Sequence, residues 1–393
     1  MRNIIVTGGE LFNKGAQSMI LITVSELTKR FPNHKILVLS PMDLERPEHE
    51  KEKFNFQFIG WFPTKFARAQ RNPFLRFLYL LRHKQEFQQC EMIYRNCAMM
   101  VDISGYALGS NWDAPCCNVY LEHLEFAEGF GIPVYLMPQS FGPFDFGADH
   151  PGIDVRCRKL LPACKAILAR EQEGYDALVD TYGLTNVQLA PDLVLNNQGI
   201  DLKHIFREIP ELRLPGIAPN SIAIVPNGRN LSVGNVDTVL DLYRAAIRQG
   251  LKQGKTVYLL HHATSDAKIC TQLKEQFAEE KHVVVLEQEF SCLEFNELVK
   301  CFDYLVASRF HSIVHAYKNG VPCITLGWAK KYEVLLEQFG QSAYLFDVRN
   351  SPNEENLTAA MEQLNGSREK ESAIILSRLA DVQRDNVFDV LTL

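Results

Sequence analysis

Short apolar runs alternate with longer amphipathic stretches from the start of the chain to about residue 345. The runs at 3–7, 35–41 and 166–169 contain mostly aliphatic residues, and continuous apolar runs of this length are typical of buried parallel strands. The stretches between them space their apolar residues three or four positions apart, which indicates helices. Strand and helix therefore alternate, and the pattern predicts an α/β fold with parallel sheets.

The alternation weakens between residues 196 and 219, a segment that carries three prolines. We expect this segment to link two Rossmann-like domains, over 1–200 and 215–345, with a helical segment at 346–393. A chain of 393 residues is long enough for two such domains. The pattern also predicts a strand over 187–195, a loop over 340–352 and a final helix from about 353 through 387.

The chain opens with the apolar run NIIVT and continues as GGELFNKGAQSMI, with glycines in the turn and a helical pattern from about Ala16. Strand, glycine turn and helix begin a nucleotide-binding type of unit, but the G-x-G-x-x-G fingerprint is absent, so a dinucleotide is not favoured. Asn13, Lys14 and Gln17 lie where the helix begins and are candidate ligand contacts. The alternative is a turn that needs only its glycines.

Polar residues follow several predicted strands directly. Arg309 and His311 lie between the strand DYLVAS and the helix SIVHAYKNG, and Arg170 follows the strand AILA. Open α/β sheets bind ligands at the carboxyl ends of their strands, and a following helix directs its N-terminal N–H groups there. The sequence therefore predicts an anion site with an imidazole beside it. The alternatives are a surface charge for Arg309 and a helix cap or core residue for His311.

Two further strand ends bring a carboxylate and an amide to the same edge. Asp102 ends the strand in CAMMVDISGYALGSNW, and Gln139 begins the PQSFGPF loop. A carboxylate at this place is a candidate for accepting a proton from a hydroxyl or for orienting it, and Gln139 is a candidate substrate contact. A turn cap is the alternative for Asp102.

Bulk composition excludes several classes of protein. The net charge of −6 argues against nucleic-acid binding, which favours basic domains. No run reaches the roughly 18 apolar residues of a membrane span, and the start reads as a strand and not as a signal peptide. The ten cysteines form no C-x-x-C pair, so we expect reduced thiols in a cytoplasmic protein. The adjacent His261 and His262 would point to opposite faces of a strand, and we predict no metal site.

Residues 61–84 differ from the rest of the chain, because they carry six Lys or Arg residues and no Asp or Glu among aromatic and aliphatic residues. A basic amphipathic segment in an acidic protein predicts a peripheral contact with the inner membrane face or with a lipid-linked substrate. The alternative is a helix that packs its apolar face on the core.

The motifs taken together resemble the polysaccharide pyruvyl transferase family over about residues 1–345. The strongest is SRFHSIVHAYKNGVPCITLGWAKKYEVL, and FNKGAQSMI, DISGYALG, PQSFGPF, LAREQEGYDAL and APDLVL follow the family order. The resemblance implies two Rossmann-like domains that face each other across a cleft, as in GT-B glycosyltransferases. It also implies transfer of pyruvate from phosphoenolpyruvate to two hydroxyls of a sugar, in a cell-surface polysaccharide or its lipid-linked precursor, as a ketal.

The resemblance also implies roles for single residues. Arg309 and His311 match the R-x-H that binds phosphoenolpyruvate, Arg170 matches a second donor-site arginine, and Lys331 matches the lysine of W-x-x-K-Y. Asp102 falls near an acidic position beside the acceptor. We expect His311 to act as general acid or to stabilise the departing phosphate, with phosphoenolpyruvate as donor substrate and no cofactor. A GT-B glycosyltransferase that uses a nucleotide sugar and a non-enzymatic glycan-binding protein are the competing interpretations.

Overall fold

The structure is a computed structural model that describes residues 2–60, 73–147 and 150–393. Two sheets, both built from parallel strands, hold the described part of the chain together. The first sheet has eight strands in the order β3-β2-β1-β4-β6-β7-β8, with β5 paired to β6. Its strands are β1 Asn3–Thr7, β2 Lys35–Leu39, β3 Gln57–Ile59, β4 Cys97–Asp102, β5 Tyr106–Leu108, β6 Val134–Phe141, β7 Ala166–Ala169 and β8 Val187–Leu189.

The second sheet has six strands in the order β11-β10-β9-β12-β13-β14. These are β9 Ser221–Val225, β10 Thr256–Leu260, β11 Val283–Leu286, β12 Leu305–Ala307, β13 Cys323–Gly327 and β14 Leu345–Asp347. In both sheets the chain begins at a central strand, moves outward to one edge, and returns to the other side of that strand. This reversal of strand order creates the crevice in which doubly wound folds bind ligands.

Helices cover the sheets because each amphipathic stretch buries its apolar stripe against buried strands. The α-helices span Lys14–Arg30, Pro41–Leu44, Glu48–Lys51, Pro73–Arg95, Ala114–Gly129, Pro151–Leu160, Gln172–Tyr182, Leu193–Asn196, Leu202–Ile205, Gly228–Val233, Val236–Lys252, Ala267–Glu275, Cys292–Val299, Phe310–Lys318, Lys330–Gln338 and Glu354–Val382. One apolar cluster contains residues from both halves, including Ile20, Phe295 and Ile313. The two sheets therefore share part of one core.

The last helix, Glu354–Val382, packs mainly against the second half, and the tail behind it returns to the first. Asn196 donates hydrogen bonds from Nδ2 to the carbonyls of Val382 and Asp385, at 2.8 and 2.7 Å. Tyr135 donates from its hydroxyl to the carbonyl of Thr392 at 2.9 Å. The C-terminal segment thus ties the two halves to each other. None of the described helices is long and apolar enough to cross a membrane.

Three element predictions need correction. The predicted strand over 187–195 ends at Leu189, because Pro191 has no N–H for the ladder and Asp192 caps the helix Leu193–Asn196. The predicted loop over 340–352 contains β14, which pairs with β13 at the sheet edge. The final helix ends at Val382, and a short 3₁₀ turn follows at Val387–Val390. The domain limits at 200, 215 and 345 stay a prediction.

Candidate functional site

A cavity of about 270 Å³ lies where the carboxyl ends of strands from both sheets meet. Six of its lining residues follow their strands within two residues, namely Ser104, Arg170, Asn227, His262, Arg309 and Trp328. The first two extend from the first sheet and the other four from the second. The structure therefore gathers residues from the strand ends around one cavity, as the sequence predicts. His311 and Lys331 line the same cavity.

The carboxylate of Asp266 binds one edge of the Arg309 guanidinium. Its Nε and Nη2 donate to the two carboxylate oxygens of Asp266, both at 2.7 Å, and Asp266 is fully buried. Asp266 also accepts from the backbone N–H of Gly228 at 2.9 Å. This arrangement fixes the plane of the guanidinium and leaves Nη1 without a partner among the described residues. Arg309 can thus offer two N–H groups to a ligand in the cavity.

Arg170 is more deeply buried than Arg309, and all three nitrogens of its guanidinium donate hydrogen bonds. It donates from Nε to Glu171 at 2.8 Å, from Nη1 to Asp192 at 3.0 Å, and from Nη2 to the Ser140 hydroxyl at 2.7 Å. Its guanidinium carbon stands 4.7 Å from the centre of the Phe310 ring. The Arg170 guanidinium holds the pKa of the buried Asp192 carboxyl below its usual value against the effect of burial. Arg170 therefore brings positive charge to the cavity wall while most of its N–H groups serve the fold.

His311 stands against the start of the first helix. A Cβ added to Gly15 would lie 2.2 Å from Nδ1 of His311 and 2.3 Å from Cγ, so only glycine fits there. Burial, together with the charges of Arg170 and Lys331, lowers the pKa of His311 to about 4, and Asp192 opposes the shift. The imidazole is therefore neutral near pH 7, and its buried Nε2 has no partner among the described residues.

Lys331 faces the same cavity with no hydrogen bond or ion pair in the described part of the chain. Its ammonium lies 5.1 Å from the centre of the Phe310 ring, and burial beside Arg170 lowers its pKa to about 8. Two further nitrogens of the lining, Nε1 of Trp328 and Nε2 of His262, are also buried without a partner among the described residues. Buried polar groups are nearly always paired, so unpaired donors around one cavity indicate an acceptor-rich ligand.

Asp102 and Gln139 are buried and do not line the cavity, and Gln139 lies inside β6 instead of in the predicted loop; the roles of both residues stay predictions. Asp102 is 2% exposed and accepts from Thr7 Oγ1 at 2.8 Å, Ser104 Oγ at 2.9 Å and Gln139 Nε2 at 3.0 Å. Burial raises the pKa of Asp102 in spite of these hydrogen bonds. Ser104 is the member of this group that reaches the cavity, and Asp102 fixes its hydroxyl.

The start of the first helix connects the two halves beside the cavity. Asn13 lines the cavity and caps the helix, accepting from the N–H of Gly15 at 2.9 Å. Lys14 donates to the carbonyl of His262 at 2.8 Å, and Gln17 accepts from the N–H of Cys292 at 2.6 Å. Of the three candidates in this loop, Asn13 reaches the cavity, whereas Lys14 and Gln17 bind the second half of the chain.

The lining also contains residues that were not among the predicted site residues, and Arg229, Trp328 and Trp112 are three of them. The guanidinium carbon of Arg229 lies 5.7 Å from the Trp328 ring centre, and Arg229 belongs to the helix Gly228–Val233 that follows β9. The strand-end rule that selected Arg309 would also have found Trp328, which follows β13 directly. Within the described residues no group of three or more His, Cys, Asp or Glu has the arrangement of a metal site.

Solved structures of similar fold are glycosyltransferases and epimerases. S. aureus MnaA in a co-structure with UDP aligns with TM-score 0.57 and 10% identity over 99% of this chain and 94% of that chain. UDP-GlcNAc 2-epimerase from Methanocaldococcus jannaschii aligns with TM-score 0.55 and 14% identity over 92% of each chain. Medicago truncatula UGT71G1 complexed with UDP-glucose aligns with TM-score 0.53 and 14% identity over 99% of this chain and 95% of that chain. These identities show the fold alone, and the predicted GT-B-like fold is confirmed.

The family is shown by sequence over most of the chain. The family model for polysaccharide pyruvyl transferase matches residues 13–330. No curated protein matches the sequence at a significant level. The matched range contains Asn13, Arg170, Arg309 and His311 of the cavity, and it ends one residue before Lys331. The chain belongs to the polysaccharide pyruvyl transferase family.

Proposed function

We propose that this protein transfers pyruvate from phosphoenolpyruvate to two hydroxyls of a sugar, forming a ketal. The observation that carries the proposal is the set of polar atoms around the cavity that have no partner among the described residues: Lys331 Nζ, Arg309 Nη1 and the buried Trp328 Nε1 and His311 Nε2. Phosphoenolpyruvate offers a carboxylate and a phosphate close together, and guanidinium groups match such oxyanions well. Family membership supports the same donor class.

In the proposed reaction a proton adds to the methylene carbon, and the oxygen of one sugar hydroxyl forms a bond to the neighbouring carbon while that hydroxyl loses its proton. The carbon–oxygen bond to phosphate then breaks, inorganic phosphate leaves, and the second hydroxyl closes the ketal with loss of its proton. Arg309 and Arg170 would neutralise the charge of the leaving phosphate, so the proposal needs no cofactor.

His311 and Lys331 differ in what they can supply. A neutral imidazole with its proton on Nε2 donates a hydrogen bond to the phosphate, which favours the phosphate-stabilising role predicted for His311 over that of general acid. The Lys331 ammonium, with a pKa lowered to about 8, is still protonated near pH 7 and can give up its proton. We therefore assign protonation of the methylene carbon to Lys331.

Asp102 would act on the acceptor through Ser104. Because the Ser104 hydroxyl donates to Asp102, its oxygen lone pairs remain free to accept from a sugar hydroxyl. Asp102 is thus a positioning residue in this proposal, and Gln139 supports Asp102 from behind.

A lipid-linked acceptor would bring the protein to a membrane surface through residues 61–84. Residues 61–72 lie outside the described residues. In the helix Pro73–Arg95, Phe77 and Leu81 are 58% and 65% exposed and lie one turn apart on the same face. Exposed apolar side chains within a basic sequence fit the surface of an anionic bilayer.

A thermal-shift titration tests the donor. Phosphoenolpyruvate, UDP-glucose and GDP-mannose would be compared on the wild type and on Arg309→Lys, which keeps a charge beside Asp266 but loses Nη1. A ligand that binds only the folded state raises the melting temperature. We expect a rise with phosphoenolpyruvate that Arg309→Lys largely removes.

Arg349→Lys is the matched control, because Arg349 makes the same forked contact with Asp347 on an exposed surface away from the cavity. This variant should respond to phosphoenolpyruvate as the wild type does. A rise with a sugar nucleotide alone would reject the pyruvyl donor and favour the glycosyltransferase function, for which the fold is also suited.

A further inference from the structure

The lining of the cavity contains two chemically different sets of residues, which we call its charged side and its uncharged side. The charged side consists of Arg170, Arg229, Arg309 and Lys331. The uncharged side consists of Ser104, Gly105, Tyr106 and Trp112, which all come from the segment between β4 and the helix Ala114–Gly129. A donor with two anionic groups belongs with the charged side, which leaves the uncharged side for a different part of the reaction.

Tyr106 and Trp112 form an aromatic pair on this uncharged side, and we call the pair the aromatic platform. Their ring centres are 5.6 Å apart and the ring planes are inclined by 48°. Trp112 is 43% exposed although it lines a cavity. A large aromatic side chain that stays open to solvent in a cavity is a frequent sign of a binding surface.

The backbone around the platform is fixed on both sides. The Tyr106 hydroxyl donates to the carbonyl of Gly142 at 2.9 Å, and the N–H of Ser110 donates to the carbonyl of Pro143 at 2.7 Å. Trp112 directly precedes Asp113, whose carboxylate caps the next helix by accepting from the N–H of Cys116 at 2.9 Å. The Tyr106 ring and the backbone that carries Trp112 are therefore held in place before any ligand binds, which lowers the entropic cost of binding.

We infer that the aromatic platform is the subsite for the acceptor sugar, and that it takes a hexopyranose through an apolar C–H face of its ring. The C–H groups of a pyranose carry partial positive charge and suit the negative face of an aromatic ring. Ser104, beside the platform, accepts a hydroxyl from the edge of the same sugar. This inference rests on the proposed function, because it takes the charged side as the donor site.

Saturation-transfer NMR with the methyl glycosides of galactose, glucose and mannose tests the inference on the whole protein. The variants are Trp112→Ala, Trp112→Phe and the control Val119→Ala, whose side chain is 42% exposed on the following helix and does not line the cavity. Melting temperatures establish that each variant is folded. Phosphoenolpyruvate binding is measured separately by thermal shift.

We expect at least one glycoside to show saturation transfer to ring C–H protons in the wild type. Trp112→Ala should weaken its affinity by about tenfold, with Trp112→Phe and Val119→Ala close to the wild type. Equal affinity of Trp112→Ala and the wild type, or no transfer to any glycoside, overturns the inference. A failure of phosphoenolpyruvate to bind, with the Trp112 effect intact, rejects the proposed donor and keeps the platform as a sugar site.

Discussion

Replacing Gly15 with alanine tests whether turnover depends on the position of the His311 ring. The added Cβ would lie 2.2 Å from Nδ1, and contacts below 3.0 Å essentially do not occur, so the ring must move by at least about 0.8 Å. The ring has little room, since Phe310 stands edge-on to it at 5.5 Å. A displacement near 1 Å in a catalytic group costs on the order of 10²-fold in rate.

Stability should change far less than turnover. Alanine in the first turn of the helix Lys14–Arg30 gains up to about 1 kcal/mol in helix propensity, whereas overpacking costs about 1–3 kcal/mol. We therefore expect Gly15→Ala to lower the free energy of unfolding by no more than about 2 kcal/mol. The assay is phosphate release that depends on phosphoenolpyruvate and acceptor, beside urea unfolding of the same samples.

Gly366→Ala is the matched control, because Gly366 lies at an exposed position inside the helix Glu354–Val382 and a Cβ there meets nothing within 4 Å. It should gain up to about 1 kcal/mol in stability and keep full activity. Gly15→Ala with wild-type turnover and wild-type KM for phosphoenolpyruvate would refute the assignment of a phosphate contact to His311.

Three other predictions concern the remaining charged and apolar groups. Lys331→Arg keeps the charge but cannot give up a proton, so kcat should fall by about 10²–10⁴-fold with little change in KM for phosphoenolpyruvate. A higher KM with an unchanged kcat would make Lys331 a binding residue only. Burial lowers the pKa of His315 to about 3, below the 6.5 of an exposed imidazole. The stability that the neutral, buried His315 contributes is therefore complete above pH 6.5 and is lost as the pH falls toward 3. Urea unfolding should show a lower free energy of unfolding at pH 5 than at pH 7, and His315→Gln should make this difference smaller. Changing Phe77 and Leu81 together to Ser should lower binding to liposomes that contain anionic lipid, whereas unchanged partitioning would rule out a membrane contact of this helix.

The part of the site that follows from strand ends could be predicted from the sequence. Apolar runs locate the strands, and the residues just after them, such as Arg170 in the first half and Arg309 in the second, must lie at the carboxyl edge of their own parallel sheet. The same rule placed Asp102 and Gln139 at that edge but could not tell which residues face outward. Asp102 is bound by Thr7 from β1 and by Gln139 from β6, and no local pattern encodes these contacts between separate segments.

The part that could not be predicted depends on how the two halves pack together. Gly15 reads as a turn glycine in the sequence, yet its lack of a side chain lets the helix Lys14–Arg30 approach His311 from the other half. Ser18 and His315, on the same two helices, are joined by a hydrogen bond of 3.0 Å between Oγ and Nε2. The contact that fixes the imidazole is thus also a contact that holds the two halves together.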